Sequence, residues 1–185
     1  MRHRLWPLLG LLLILAAAVA ELAMGREPWC RCGTVRLWIG TVNSPENSQQ
    51  LADWYTPSHI VHGLVFYAAL AFAAPRLSLG ARAVVALAVE AAWEITENTP
   101  WIIDRYRAAT IALDYYGDSV LNSVSDMLAM LLGFWLAARL PVWASVLLAL
   151  GLEALALAVI RDNLTLNVLM LLWPLQAVRD WQAGA

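Results

Sequence analysis

The sequence predicts an all-α fold, a polytopic transmembrane helical bundle with about six spans. Of the 185 residues, 61% are hydrophobic and only 14% are charged, whereas soluble domains carry about 25% charged residues. Several apolar windows approach the roughly 20 residues that a helix needs to cross a hydrocarbon core about 30 Å thick. Because turn signals separate these windows, the chain is expected to cross the membrane several times.

Five windows are predicted to be membrane-spanning helices. They cover about residues 7–24, 57–74, 83–97, 119–138 and 142–160. Pro75 ends the second window, and only residues 139–141 separate the last two, which therefore form a tight antiparallel hairpin. A final stretch, residues 164–178, is shorter and contains Pro174, so it is either a short sixth span or a re-entrant segment. No repeat and no low-complexity linker divides the sequence, so residues 1–185 are read as a single integral membrane domain.

The amino terminus fits a retained first helix better than a cleavable signal peptide. Met1-Arg-His-Arg and Ala18-Val-Ala20 suit a signal peptide, but the apolar core between them is long for one. Arginines in tails and tight turns weigh most in the positive-inside rule, and they place both termini in the cytoplasm. Two polar, aromatic-rich loops, residues 25–56 and 98–118, then lie on the outer side, as an interfacial belt or as a lid over a lipid-derived ligand.

Composition and motifs exclude several functions. All twelve basic residues are arginines and the net charge is -2, so the chain offers no extended basic face and nucleic acid is not expected as a partner. The sequence contains neither Gly-x-Ser-x-Gly nor His-Glu-x-x-His. Cys30 and Cys32 are predicted to be too close for an easy disulfide with each other, and they lack the second cysteine pair of a structural zinc site.

Ionisable residues at helical spacing are the most informative feature of the apolar windows. They form three rows, at the start of the second window, the end of the third and the start of the fourth: His59 and His62; Glu90, Glu94 and Glu97; Asp118, Asn122 and Asp126. A charge at the bilayer centre costs about 3 kcal/mol on insertion scales. Because residues three or four apart share one helix face, the rows are expected to converge on a buried polar site near the outer leaflet. Glu153 is a weaker candidate that approaches from below.

Three interpretations of this cluster stay open. In the first, His59, His62 and Glu94 bind a divalent metal ion, although the sequence does not identify a cofactor. In the second, the cluster is a hydrogen-bonded network whose carboxylates are neutralised by Arg105 or Arg107. In the third, neighbouring carboxylates raise one another's pKa and supply a general acid beside a histidine base, or the same groups relay protons or bind substrate.

These interpretations assign roles to named residues. The candidate catalytic residues are His59, His62, Glu94, Glu97, Asp118, Asn122 and Asp126. The candidate substrate-binding residues are Arg105, Arg107, Asp104 and Asp114, with the two arginines holding a phosphate.

Four strings resemble an uncharacterised family of small bacterial multi-pass inner-membrane proteins. They are Asp53-Trp-Tyr-Thr-Pro-Ser-His-Ile-Val-His-Gly63, Glu94-Ile-Thr-Glu-Asn-Thr-Pro-Trp-Ile-Ile-Asp-Arg-Tyr-Arg107, Asp114-Tyr-Tyr-Gly-Asp-Ser119 and Ile160-Arg-Asp-Asn-Leu-Thr-Leu-Asn167. The resemblance spans nearly the whole chain and implies a location in the cell inner membrane. More distantly, an acid-rich helix followed by Arg105 and by Asp118-x-x-x-Asn122 is similar to VanZ-like membrane proteins, which are associated with glycopeptide-antibiotic tolerance.

Two functions from different classes remain. The first is an enzyme or binding protein that binds or processes a lipid or lipid-linked envelope precursor at the outer leaflet, with membrane lipids as partners. The second is a non-enzymatic structural or assembly component, whose polar core fixes helix register and whose aromatic loops dock a membrane protein partner. A proton-coupled transporter is less favoured, because the sequence has no inverted repeat. Whether the protein is an enzyme stays open.

Overall fold

A computed structural model of the chain describes residues 5–110, 112 and 114–184, and all regular secondary structure in them is helical. The elements are α1 (Leu5–Ala23), α2 (Thr56–Ala73), α3 (Leu79–Glu97), α4 (Pro100–Ala109), α5 (Val120–Arg139), α6 (Val142–Ile160), α7 (Leu164–Leu172) and α8 (Gln176–Ala183). The all-α prediction is confirmed for this part of the chain. Residues 1–4, whose arginines entered the prediction of orientation, lie outside it.

The five predicted windows coincide with α1, α2, α3, α5 and α6 to within a few residues. Four of these helices, α1, α2, α5 and α6, are long and apolar enough to cross a membrane. The fifth, α3, has the same length as α1 but is more polar, because it carries Arg82, Glu90, Glu94 and Glu97. Large apolar side chains cover the outer faces of α1 and α6, as expected of helices that face lipid.

Two glycines let α2 and α5 pack closely. A Cβ atom at Gly63 would overlap the backbone of Met130, and one at Gly133 would overlap the carbonyl group of Ile60. Small residues allow such backbone approach between spans. The buried core extends from this contact through Met127, Met130, Phe134, Leu87 and Ala86. This packing sets the depth at which side chains on the first turns of α2 meet those of α5.

The polar segments gather at one end of the bundle, which we call the loop end: residues 24–55, α4, and residues 110, 112 and 114–119. They are tied to the start of α5, where Ser119 N donates to Ser48 O at 3.0 Å and Val120 N to Glu27 O at 2.9 Å. The side-chain amide of Asn122 donates to Gln50 O at 2.9 Å. The two backbone bonds satisfy N–H groups that the start of a helix leaves unpaired, and all three bonds hold the polar segment over the helix ends.

The structure refines two elements of the prediction. The loop 98–118 contains a helix, α4, which begins at Pro100 after Thr99, whose hydroxyl accepts from Ile102 N at 3.4 Å. The stretch 164–178 is two helices, because Pro174 has no N–H to donate and disfavours a helical conformation at the residue before it. With nine residues, α7 is about 14 Å long, roughly half the thickness of the hydrocarbon core.

The last helix returns to the loop end. Arg179 Nη1 donates to Ala108 O near the end of α4, at 3.1 Å. Gln182 Nε2 donates to the carbonyl of Arg161, directly after α6, also at 3.1 Å. Residues 161–183 therefore start and finish at one end of the bundle. This geometry favours the re-entrant alternative over a sixth span.

The start of α1 lies at the other end of the bundle, where the side chain of Trp6 fills the space beside Gly80. The two described ends of the chain consequently lie at opposite ends of the bundle. The prediction placed both termini on one side, and it depended on residues 164–178 crossing the membrane as a sixth span.

Cys30 and Cys32 are joined by a disulfide, although their spacing predicts that they are too close for an easy one. A turn explains the pairing: Gly33 N donates to Cys30 O at 3.0 Å. The Cα atoms of the two cysteines are 5.2 Å apart, a separation that disulfides commonly span.

Candidate functional site

Two histidines of α2 meet one carboxylate of α3. His59 Nδ1 lies 2.7 Å from Glu90 Oε1, and His62 Nδ1 lies 3.1 and 3.0 Å from the two oxygens of the same carboxylate. Glu90 is fully buried and His59 is buried, while His62 is half-buried. Because the histidines are three residues apart, both rings leave the same face of α2, and α3 brings Glu90 between them.

Two further carboxylates surround His59. Glu94 Oε1 lies 3.4 Å from His59 Nδ1, and Asp126 Oδ2 lies 3.7 Å from His59 Nε2. Asp126 Oδ1 accepts a hydrogen bond from Thr56 Oγ1 at 3.2 Å. The three polar rows of α2, α3 and α5 therefore converge around one imidazole, as their helical spacing predicts.

A second carboxylate group adjoins the first. Ligand-capable oxygens of Glu94, Glu97 and Asp118 lie within 4.8 Å of one another. Asn98, fully buried, donates to Asp118 Oδ2 at 3.1 Å and accepts from Asp118 N at 2.7 Å. Tyr115 donates its hydroxyl to Asp118 Oδ1 at 3.0 Å. Burial raises the pKa of Asp118 to about 6, opposed by these hydrogen bonds.

A cavity of about 430 Å³ opens beside both groups, at the loop end. Its volume is within the range of small-molecule sites. Six of the candidate catalytic residues line it, and the seventh, Glu94, is buried behind them. The lining members are His59, His62, Glu97, Asp118, Asn122 and Asp126. Asn122 Nδ2 donates to Gln50 O, so this contact holds the segment around Gln50 against the start of α5.

The candidate substrate-binding residues fall in different places. Asp114 lines the cavity, and Asp104 is exposed. Arg105 Nε donates to Leu171 O at 2.8 Å, and Arg107 Nε donates to Tyr115 O at 2.5 Å. Neither arginine lines the cavity or pairs with a carboxylate of the cluster among the described residues, so the geometry does not support neutralisation of the cluster by them.

Several residues at the site were not among the sequence candidates. The sequence places Glu90 in the acidic row of α3 without indicating a role for it, although its spacing of four from Glu94 puts both side chains on one face of the helix. Tyr55, Tyr106 and Asp162 line the cavity, and only the fold brings them there from three separate segments. Glu153 lies elsewhere: its carboxylate accepts hydrogen bonds from the first residues of α7.

Comparisons with known proteins agree with the resemblance seen in the sequence. Residues 21–184 match the family described as "Protein of unknown function (DUF2585)". A UPF0314 protein of Paracoccus denitrificans is 67% identical over 173 residues, which cover 94% of this chain and 90% of that protein. A UPF0314 protein of Rhizobium etli is 54% identical over 184 residues, covering 99% and 94%. A UPF0314 protein of Sphingopyxis alaskensis is 55% identical over 177 residues, covering 93% and 94%. No solved structure matches the chain.

Proposed function

Because this chain belongs to the DUF2585 family of proteins of unknown function, we propose its function from the geometry of its own site. The protein is a multi-pass protein of the cell inner membrane. It binds a divalent metal ion between α2 and α3, and it uses the adjoining cavity to bind or process the head group of a lipid or lipid-linked envelope precursor at the outer leaflet.

The observation that carries the metal site is the convergence of two imidazoles on one buried carboxylate. Ligand-capable atoms of His59, His62 and Glu90 lie within 4.8 Å of one another. Imidazole nitrogen and carboxylate oxygen bind divalent transition metals at about 2.0–2.2 Å, so ligand atoms around one ion are roughly 3–4 Å apart. Small side-chain adjustments suffice to close this set around an ion. Glu94, the carboxylate predicted for the set, stands 3.4 Å from His59 and is a fourth candidate ligand.

The charge balance of the cluster also supports a bound cation. Five carboxylates gather around two imidazoles: Glu90, Glu94, Glu97, Asp118 and Asp126. Among the described residues, the histidines are the only basic side chains within ion-pair distance of them. Buried charges are costly unless they are paired or coordinate a metal ion. A divalent cation supplies the missing positive charge, and it would polarise a phosphoryl or carbonyl oxygen of a substrate.

The orientation rests on the loop end. A disulfide at residues 30 and 32 suits an oxidising compartment outside the cytoplasm, and Trp29, Trp38, Trp54 and Trp101 of the loop end suit the membrane interface. We therefore place the loop end outside. The amino terminus is then cytoplasmic and α8 is extracytoplasmic, which revises the prediction that both termini are cytoplasmic.

Metal analysis of the purified protein tests the proposal. The protein is extracted in detergent without chelator, and its metal content is compared with that of His59→Ala and Glu90→Gln. We expect about one equivalent of a divalent metal in the wild type and at least tenfold weaker retention in both variants, since even residues that only orient ligands contribute 10- to 100-fold.

The matched control is Asp180→Asn, which removes an exposed carboxylate of α8. It should retain the wild-type metal content. Circular dichroism and size-exclusion chromatography identify variants that fail to fold, and Glu90→Gln keeps the size of the side chain for that reason. Wild-type protein without metal, both as purified and after titration with Mn²⁺ and Zn²⁺, would refute the metal site.

A further inference from the structure

We propose that the cavity beside the metal site is selective for an organic cation, an amine or quaternary ammonium group, carried by the molecule that enters it. This inference deepens the proposed function, because it names the chemical class of the head group. It rests on the lining of the cavity, not on the metal ligands.

The lining carries negative charge and aromatic faces. Five carboxylates line the cavity, and so do four tyrosines and Trp93, whereas no arginine appears in the lining contributed by the described residues. The carboxylates are Glu97, Asp114, Asp118, Asp126 and Asp162. Electron-rich ring faces attract cations, and aromatic cages are a recurrent way to bind quaternary ammonium groups. An anionic group would be repelled by these carboxylates, and the basic side chains in the described lining are His59 and His62.

The tyrosine hydroxyls do not offset this preference. Tyr55 donates to Asp162 Oδ2 at 3.3 Å, and Tyr106 donates to Asn167 Oδ1 at 2.8 Å. The hydroxyl of Tyr115 goes to Asp118 Oδ1 at 3.0 Å, and that of Tyr116 goes to Pro45 O at 2.9 Å. Since all four hydroxyl protons are committed to protein acceptors, the tyrosines present ring faces and oxygen lone pairs to a ligand. The tyrosines of the lining therefore accept hydrogen bonds from a ligand and do not donate them.

An oxygen of Asp126 that has no hydrogen-bond donor among the described residues points to the same class. Asp126 is 4% exposed and lines the cavity. Its Oδ1 accepts from Thr56, but the nearest basic atom to Oδ2 among the described residues is His59 Nε2, at 3.7 Å, beyond hydrogen-bond distance. An ammonium group in the cavity would pair with this oxygen.

Choline and its neutral isostere 3,3-dimethylbutan-1-ol test the proposal directly, because they share shape and differ in charge. Binding of each to the full-length protein in dodecyl maltoside is measured by calorimetry, with inorganic phosphate as the anionic probe. We expect saturable binding of choline and at least about tenfold weaker binding of the isostere, which corresponds to the loss of one or two cation–π contacts. Phosphate should bind more weakly than choline. Equal affinity for the two isosteres, or binding of phosphate without choline, would overturn the proposal.

Two substitutions of Tyr115 distinguish the contribution of its ring face to choline binding from that of its hydroxyl group. Tyr115→Leu should weaken choline binding by about two- to thirtyfold, the range of one cation–π contact. Tyr115→Phe keeps the ring face and should bind choline more tightly than Tyr115→Leu does. Asp180→Asn is the surface control. Equal affinities of the Phe and Leu variants for choline would contradict a role for the ring. Asp126→Asn, a conservative change, should also weaken choline binding.

Two further measurements determine whether the amine belongs to a lipid and whether the metal site and the amine site fail independently. The protein is incubated in nanodiscs of mixed phosphatidylethanolamine and phosphatidylglycerol, and the retained lipids are identified by native mass spectrometry. An excess of retained phosphatidylethanolamine indicates that the ligand is a lipid head group. Choline binding without that excess indicates a free amine. Protein that binds choline but no metal refutes the metal site alone, and protein that binds metal but neither choline nor the ethanolamine lipid refutes this inference alone.

Discussion

Replacement of Glu90 by glutamine is the perturbation that best tests how the cluster is held together. Glu90 is fully buried and is the shared partner of both histidines, at 2.7 Å from His59 and 3.0 Å from His62. Glutamine keeps the size of the side chain but loses the charge. It offers one acceptor oxygen and an amide group that can only donate. The variant therefore cannot satisfy both ring nitrogens as the carboxylate does.

The magnitude follows from these contacts. A hydrogen bond to a charged group contributes about 1.5–3 kcal/mol, and removal of one partner from a buried ion pair costs about 3–5 kcal/mol. Two imidazoles lose this partner, so we expect the free energy of unfolding to fall by about 3–5 kcal/mol, a large share of the usual 5–15 kcal/mol. At about 2–4 °C per kcal/mol for a chain of this length, the melting temperature should fall by roughly 6–20 °C.

The assay is thermal unfolding in detergent with a chelator present, so that only the contacts of the protein itself are compared. Glu97→Gln is the matched control, because Glu97 lies on the same helix and has neither histidine as an ion-pair partner. A decrease of less than about 1 kcal/mol for Glu90→Gln, well below the range for a buried pair, would refute the reasoning. An equal decrease for Glu97→Gln would do so as well.

Four further predictions follow from other parts of the molecule. Gly63→Ala should destabilise the protein by about 1–3 kcal/mol or more, because its methyl group meets the backbone of Met130; thermal unfolding unchanged from wild type would contradict this packing. Burial raises the pKa of Asp162 from 3.8 to about 6, so the folded state binds this proton more tightly and stability should fall as pH rises from about 4 to 6; Asp162→Asn should flatten that decline, and an unaltered pH profile of melting temperature would argue against it. A phosphatase fused after the last residue should be active outside the cytoplasm, and activity only of a cytoplasmic reporter fused there would reverse the proposed orientation. Cys30 and Cys32 should react with an impermeant maleimide on intact cells only after reduction, and equal labelling without reductant would exclude the disulfide.

The site was predictable in part. Helical spacing alone predicts that His59, His62, Glu94 and Asp126 lie close together, because a polar row on an apolar helix is favourable only when it points into the bundle. The same spacing could not choose Glu90 over Glu94 as the closer partner of the histidines. Both lie on one face of α3, and the choice depends on how far α3 is shifted along α2, a quantity set by packing between helices.

The segments of the loop end were the least predictable part. Their polar residues carry no strong periodicity, and their contacts join positions far apart in the sequence. Arg105 and Arg107 illustrate this: their charges suggest pairing with the carboxylates of the cluster, yet both donate to backbone carbonyls, and Arg107 pairs with Asp104. The sequence leaves residues 164–178 open between a short sixth span and a re-entrant segment for a related reason, since their hydrophobicity does not reveal that α8 docks against α4.

The chain by itself determined which segments become helices, which of them suit a bilayer and which faces carry the polar groups. These properties depend on local hydrophobicity and on the 3.6-residue turn. Only the tertiary structure decided which groups meet: Glu90 between two imidazoles, four tyrosines around an acidic cavity, and α8 at the loop end. The physical reason is that a helix fixes the direction of a side chain, whereas its partner is fixed by the depth and rotation of neighbouring helices, and these follow from contacts such as Gly63 against the backbone of α5.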